Sequence, residues 1–300
     1  MDRTRRNPAV DLEVRSDARR GLAVYFCFIV AFEVVICTWA IARPQNAQLA
    51  IAVLMFTPAV SSIATRLIRR EGFGDVSFRL GGRRSLPWYG LALVLPILVG
   101  ALAYGIGWAT GLVGFVGTIG SLTAGIGLIL VTAVPLTCIS AAGEEIGWRG
   151  YMLTRLIDAG VPRPVLASGL IWATWHLPMV FAGFYVAGES RLLTGALLVV
   201  SITATSVVYA RMRLETGSVW PAVLAHSAWN VIIQNPFDHA ASGPGATLWV
   251  GEAGILTAAV LVVVAVLVSR GRWADLRRPP RPVPRSDDRD STSRPRPAAT

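Results

Sequence analysis

The sequence predicts an all-α, polytopic membrane protein: a bundle of about eight transmembrane helices with a polar site between them near the cytoplasmic side. Three observations predict it. The 300 residues are 53% hydrophobic and 15% charged, whereas a soluble domain carries about 25% charged residues. The apolar residues fall into blocks of about 20, each long enough to cross a hydrocarbon core about 30 Å thick. Between the blocks the arginines are shared out very unevenly.

In chain order the blocks are 21–42, 49–68, 87–109, 121–141, 165–186, 192–210, 219–235 and 248–268. The first is preceded by arginines and ends in Ala40-Ile41-Ala42, the outline of a secretory signal. Its apolar run from Gly21 is about twice the length of a signal core, so it reads as an uncleaved span. Gly111, Gly114, Gly117 and Gly120 precede the fourth block. They form either a loop or the early part of that span, and small residues so spaced favour close helix packing.

Eight spans put 26 arginines on the side of the two termini and leave only Arg43 and Arg191 on the other. By the positive-inside rule both termini are expected in the cytoplasm, with the protein in the cell membrane. All 28 basic residues are Arg, a compositional bias that suits a bacterial genome. The net charge of +10 is thus a matter of topology, and no nucleic-acid partner is expected. The chain divides into a basic arm (1–20), a membrane domain (21–269) with its motif core at 140–235, and an Arg/Pro-rich tail (270–300). That tail has too few apolar residues to fold and is expected to be disordered. Cys27, Cys37 and Cys138 lie in apolar stretches without a CxxC pair, which suggests neither a disulfide framework nor a thiolate zinc site.

Three short polar segments interrupt the apolar blocks. Glu144-Glu145 precede Arg149, Trp172 precedes His176, and His226 precedes Asn230. Glu145 to Arg149, Trp172 to His176 and His226 to Asn230 are each four apart, so on a helix each pair shares one face. Such side chains are costly in an apolar layer, and together they point to a site. Glu144 is turned about 100° from Glu145 on a helix. Two adjacent carboxylates therefore divide into one paired with Arg149 and one free to act as general base. Trp172 can wall the site, and Pro178 should free backbone carbonyls near His176 because it has no N–H. Glu144 and His176 can hold and deprotonate a water while His226 and Asn230 supply donors to an oxyanion. Glu144, His176 and His226 can equally ligate zinc with an open position for water; the spacing leaves both schemes open. Of the other polar residues, Glu252 is placed at an interface and His239 in a solvated loop. No HExxH helix, GxSxG elbow or phosphate loop is present.

The ordered set Glu144-Glu145-xxx-Arg149, Trp172-xxx-His176 and His226-xxx-Asn230 resembles the CAAX prenyl protease and bacteriocin-processing family, the type II CAAX endopeptidase or abortive-infection group. Arg149-Gly150-Tyr151-Met152 is similar to that family's extension of its first motif. The resemblance implies Glu144 as general base, Glu145 with Arg149 as its orienting partner, His176 as a holder of the attacking water, and His226 with Asn230 as the oxyanion hole. Trp172 departs from the family's usual Phe; it keeps an aromatic wall and narrows the pocket.

The function expected is therefore that of an intramembrane endopeptidase acting on a peptide or membrane-protein substrate presented from the lipid bilayer near the cytoplasmic face. A non-catalytic binding, immunity or secretion-accessory protein on the same fold, and a proton-coupled transporter, are the alternatives. No inverted repeat favours the transporter.

Overall fold

The computed structural model describes residues 8–270 apart from Ala187 and Glu189; the tail beyond Arg270 lies outside the described residues. The described residues are mostly helical, with loops between the helices and one two-stranded ribbon. Helix α1 (Pro8–Ala42) is continuous over 35 residues, so residues 8–20 of the expected arm extend the first span as helix. Next come α2 (Ala47–Leu54), α3 (Thr57–Arg69) and α4 (Leu86–Thr110). Strand β1 (Gly114–Phe115) precedes α5 (Ile119–Gly147), a π-helical turn (Trp148–Met152) and α6 (Leu153–Asp158). Then follow α7 (Pro164–Ala182), α8 (Arg191–Thr216), α9 (Trp220–Ile232), a second π turn (Ile233–Phe237), β2 (Ala241–Ser242), α10 (Ala246–Trp249) and α11 (Ile255–Ser269).

Local chemistry accounts for many of the boundaries. Prolines stand at the first turns of α3, α4, α7 and α9, where a missing N–H does no harm. Thr118 caps α5 through a reciprocal exchange with Ser121, so Gly111, Gly114 and Gly117 precede the helix, Gly114 within β1, and Gly120 lies in its first turn.

The multi-span class holds, but the count of eight does not follow from it. Among the described residues five helices are long and apolar enough to cross a membrane, or six if α2 and α3, bent by 48°, form one broken span. The segments expected as spans seven and eight are helical, yet α9 has 13 residues and α11 has 15. Large apolar side chains face outward on α3, α5, α8 and α11, among them Ile63, Leu136, Leu192 and Val263. An apolar belt of this kind is covered by lipid rather than by water.

Two sets of bonds fix which loops share an end. At one end the 70–85 loop is tied to its neighbours: Arg213 donates to the Asp75 carbonyl at 3.0 Å, the Val219 N–H to Ser77 at 3.0 Å and the Trp220 indole to Phe78 at 2.7 Å. Arg155 adds salt bridges to Glu71 at 2.8 Å and Asp75 at 2.9 Å. At the opposite end β1 pairs antiparallel with β2, and the Val116 N–H donates to the Ala240 carbonyl at 2.9 Å. The first end holds the arginine-rich loops. The second holds Arg43 and Arg191.

Helix α5 changes character along its length. Its first part faces lipid; from Ala141 to Leu153 nearly every residue is buried. Gly143 and Gly147 permit this, because α5 presses there on the bend between α2 and α3. A Cβ on Gly143 would lie 2.8 Å from the Met55 carbonyl oxygen, and one on Gly147 would lie 2.4 Å from the Pro58 backbone. Gly147→Ala is accordingly expected to destabilise the fold by about 1–3 kcal/mol, the usual cost of overpacking. Thermal unfolding in detergent checks this, and an unchanged midpoint would show that the contact is not tight.

Candidate active site

The buried end of α5, its π turn, α7 and α9 meet around one charged cluster. Glu145 and Arg149 are 0% exposed and pair at 2.8 Å, the i to i+4 contact expected from spacing. The guanidinium also lies over the Trp172 ring, 4.1 Å from its centroid, and near Tyr209 at 5.3 Å. It is thus held by one carboxylate and two aromatic faces, the kind of environment that makes a desolvated cation tolerable. Glu145 has a second partner, which spacing along one helix could not reveal: the same Oε1 lies 2.9 Å from His226 Nδ1. With a carboxylate as acceptor, that nitrogen carries the hydrogen, and Nε2 is left facing the other way.

Glu144 occupies the other side of the helix. Trp172 donates its indole N–H to Glu144 Oε2 at 2.8 Å, so this residue is a donor as well as a wall, a role phenylalanine cannot play. Glu144 Oε1 faces His226 Nε2 at 3.9 Å, too long for a direct hydrogen bond and suited to a bridging atom. His176 Nδ1 lies 2.9 Å from the Trp172 carbonyl. With that carbonyl as acceptor, its Nε2 is the remaining acceptor. The carbonyl involved is one turn before His176, whereas the one deprived of a donor by Pro178 belongs to Thr174; the proline does not supply this contact.

Glu144, His176, His226 and Asn230 all line a single cavity of about 540 Å³. Trp172 and Glu145 stand behind them, with the Trp172 ring 5.3 Å from that of His226. The structure thus brings the seven residues singled out by sequence into one place. It does not put them at the arginine-rich end. Along α7, His176 is about 18 Å from the arginine-rich start and about 9 Å from the other end, at 1.5 Å per residue. The remaining walls come from α2, the loop after α7 and residues 238–253, all towards the arginine-poor end. The cavity thus lies between the middle of the bundle and its arginine-poor end.

The cavity also contains residues that the sequence motifs did not mark. Glu252, 9% exposed, accepts from Tyr185 at 2.8 Å, Trp229 at 3.1 Å and Gln234 at 3.0 Å. It is a buried acid with three donors rather than an interfacial charge. Burial and the adjacent Glu252 raise the Tyr185 phenol well above its ordinary value, so it remains a donor. Asp238 accepts from Tyr104 and lines the mouth. Tyr209 stacks on His226 with ring centroids 5.8 Å apart. An acid between two glycines of a short segment (Gly251-Glu252-Ala253-Gly254) ahead of an apolar run is a faint signal for Glu252; Tyr209 carries none.

Among the described residues no group of three His, Cys, Asp or Glu side chains is placed to hold a metal ion. Glu144, His176 and His226 do not assemble as a ligand set in this arrangement.

Residues 122–232 match the model of the family described as type II CAAX prenyl endopeptidase, Rce1-like. Among curated proteins no sequence matches the chain significantly. The matched stretch is just over a third of the chain and contains all three motifs. In that stretch the chain is similar to the Rce1-like endopeptidases, and its apolar helices make it a multi-pass membrane protein.

Two substitutions test the cluster. Arg149→Met should cost about 3–5 kcal/mol, because it leaves Glu145 buried with its cation removed. Trp172→Phe keeps the aromatic face and removes one charge-directed hydrogen bond, so a smaller loss of about 1–3 kcal/mol is expected. Unfolding of both variants in detergent gives the comparison, and equal losses would contradict this division of roles.

Proposed function

We propose that the protein is an intramembrane endopeptidase that hydrolyses a peptide bond with a water activated by Glu144. The observation that carries this reading is the 3.9 Å gap between Glu144 Oε1 and His226 Nε2 at the inner end of a 540 Å³ cavity. A water there is within reach of the carboxylate, and a peptide carbonyl can enter from the cavity. Glu144 takes a proton from the water as its oxygen attacks the carbonyl carbon. The carbonyl oxygen becomes an oxyanion and accepts hydrogen bonds from Asn230 and from His226 in its protonated form, in which Nε2 is a donor. The proton held by Glu144 passes to the leaving nitrogen as the C–N bond breaks, giving a carboxylic acid and an amine. His176 Nε2 is positioned to hold the water, and Glu145 with Arg149 keeps His226 oriented.

No step of this scheme runs through a metal. The Rce1-like match supports the CAAX endopeptidase class; the residue roles and the glutamate-type chemistry rest on the geometry of the site. The substrate is a peptide or protein segment presented in the membrane.

Glu144→Gln is nearly isosteric, and its amide oxygen can still accept the Trp172 N–H. It is expected to reach normal membrane levels while losing about 10²–10⁴-fold in cleavage, the usual share of a general base. Membrane peptidomes of cells carrying the native and variant chains supply the readout, since fragments with new C-termini should appear only with the native chain. Identical peptidomes would favour a binding protein on the same fold. With a cleaved peptide in hand, activity should survive in a metal-free preparation. Loss on chelation with recovery on zinc addition would overturn the metal-free scheme.

A further inference from the structure

We propose that a second, water-sized chamber behind the polar cluster binds a water on the hydroxyls of Ser201 and Tyr209 and supplies it to the reaction. The supply step rests on the peptidase reading above; the water site does not.

The chamber lies between α7, α8 and α9 and measures about 30 Å³. One water takes up about that volume in the liquid, and a polar chamber that offers it about two to four partners holds it. A peptide needs the room of the 540 Å³ cavity in front. Helix α8 provides the partners. Ser201, Thr205 and Tyr209 follow one another at four-residue spacing, so they share one face of the helix and line the chamber together. Ser201 is 3% exposed and Tyr209 1%, and among the described residues neither hydroxyl has a hydrogen-bond partner. Each hydroxyl gives up its bonds to bulk water on folding, and an internal water restores them.

The opposite wall belongs to the site already described. His176, Tyr185, His226, Asn230 and Glu252 line both the chamber and the larger cavity, and so form the partition between them. All five carry polar atoms, so a water crossing the partition keeps a hydrogen bond on the way. The larger cavity has Ile51, Leu54, Met179 and Phe184 in its walls, an apolar lining from which a bound peptide displaces water. Each peptide bond cut consumes one water, and a peptide filling the front cavity closes the supply from that side. A water behind the partition stays beside His176 and His226 throughout. Only the water moves in this step; the bonds that form and break at the carbonyl are unchanged.

X-ray footprinting of the purified full chain in detergent tests the site without any peptidase assay. A short pulse makes hydroxyl radicals from water in place, so a buried ring is oxidised only where a bound water lies beside it. Tyr209 should be oxidised several-fold faster than Tyr25, which is as deeply buried and lines neither cavity. Ser201→Val fills the chamber with methyl groups and should bring Tyr209 down to the Tyr25 rate. Ser201→Ala adds no atoms that could disturb the fold; it removes one partner of the water and should give an intermediate rate. Equal rates for Tyr209 and Tyr25 in the native chain, or a Tyr209 rate that neither variant lowers, would overturn the water site. With a cleaved peptide in hand, Ser201→Val should lower kcat about tenfold, the worth of one positioned hydrogen bond, and leave KM nearly unchanged. A raised KM with native kcat would mean that Ser201 shapes the peptide site, and it would overturn the supply step. A native chain that cuts nothing removes the supply step together with the peptidase reading, while the oxidation rates still decide the water site.

Discussion

The chain Arg149–Glu145–His226 is the constraint on which the rest of the structure depends. Its members come from the π turn, the end of α5 and the middle of α9, and Glu145 receives both of the others on one oxygen, at 2.8 and 2.9 Å. Desolvating each ion carries a penalty of several kcal/mol, which is offset only when partners are held in place. The surrounding architecture supplies that hold. Gly143 and Gly147 bring α5 against the α2–α3 bend. The π turn, a rare geometry often found at functional sites, puts Arg149 between Glu145 and the faces of Trp172 and Tyr209.

What this chain immobilises decides what is left free. Glu145 engages its cation and its imidazole through Oε1, which ties that oxygen to the scaffold of the site. Glu144, one residue earlier and turned away by the helix, keeps an oxygen directed at the cavity because Trp172 holds only the other one. The two imidazoles are divided in the same manner. Each uses Nδ1 on a fixed acceptor, Glu145 for His226 and the Trp172 carbonyl for His176, and each thereby presents Nε2. Four polar residues are converted by their neighbours into a site of defined donor and acceptor positions.

The sequence was legible wherever a rule of helical periodicity or membrane composition applied. Blocks of apolar residues revealed the helices, and four-residue spacing identified Glu145–Arg149 and Trp172–His176 as pairs. Contacts between spans carry no such period. The bond from His226 to Glu145 bridges 81 positions and that from Trp172 to Glu144 bridges 28, so neither could be read from one helix at a time. Glu252 was misplaced for the same reason: its three donors come from the loop after α7, from α9 and from the π turn that follows. Span counting stumbled over length, since α9 and α11 are shorter than the apolar blocks expected there, and the second block is broken at Met55–Phe56.

Depth was the least legible quantity, and the reason is instructive. Glu144, Glu145 and Arg149 lie close in sequence to the arginine-rich 155–163 segment, which suggests a site at that surface. Helix α5, its π turn and α6 form a nearly unbroken helical run from Ile119 to Asp158, so at 1.5 Å per residue Glu144 is about 20 Å from the far end of α6. The arginines between the site and that surface are absorbed into buried pairs with Asp75 and Glu71. Charges that mark one end of the bundle in sequence thus close that end in space. The cavity that Glu144 lines runs towards the arginine-poor loops, so the buried ionic layer that orders the polar cluster and the cavity it borders lie on opposite sides of Glu144.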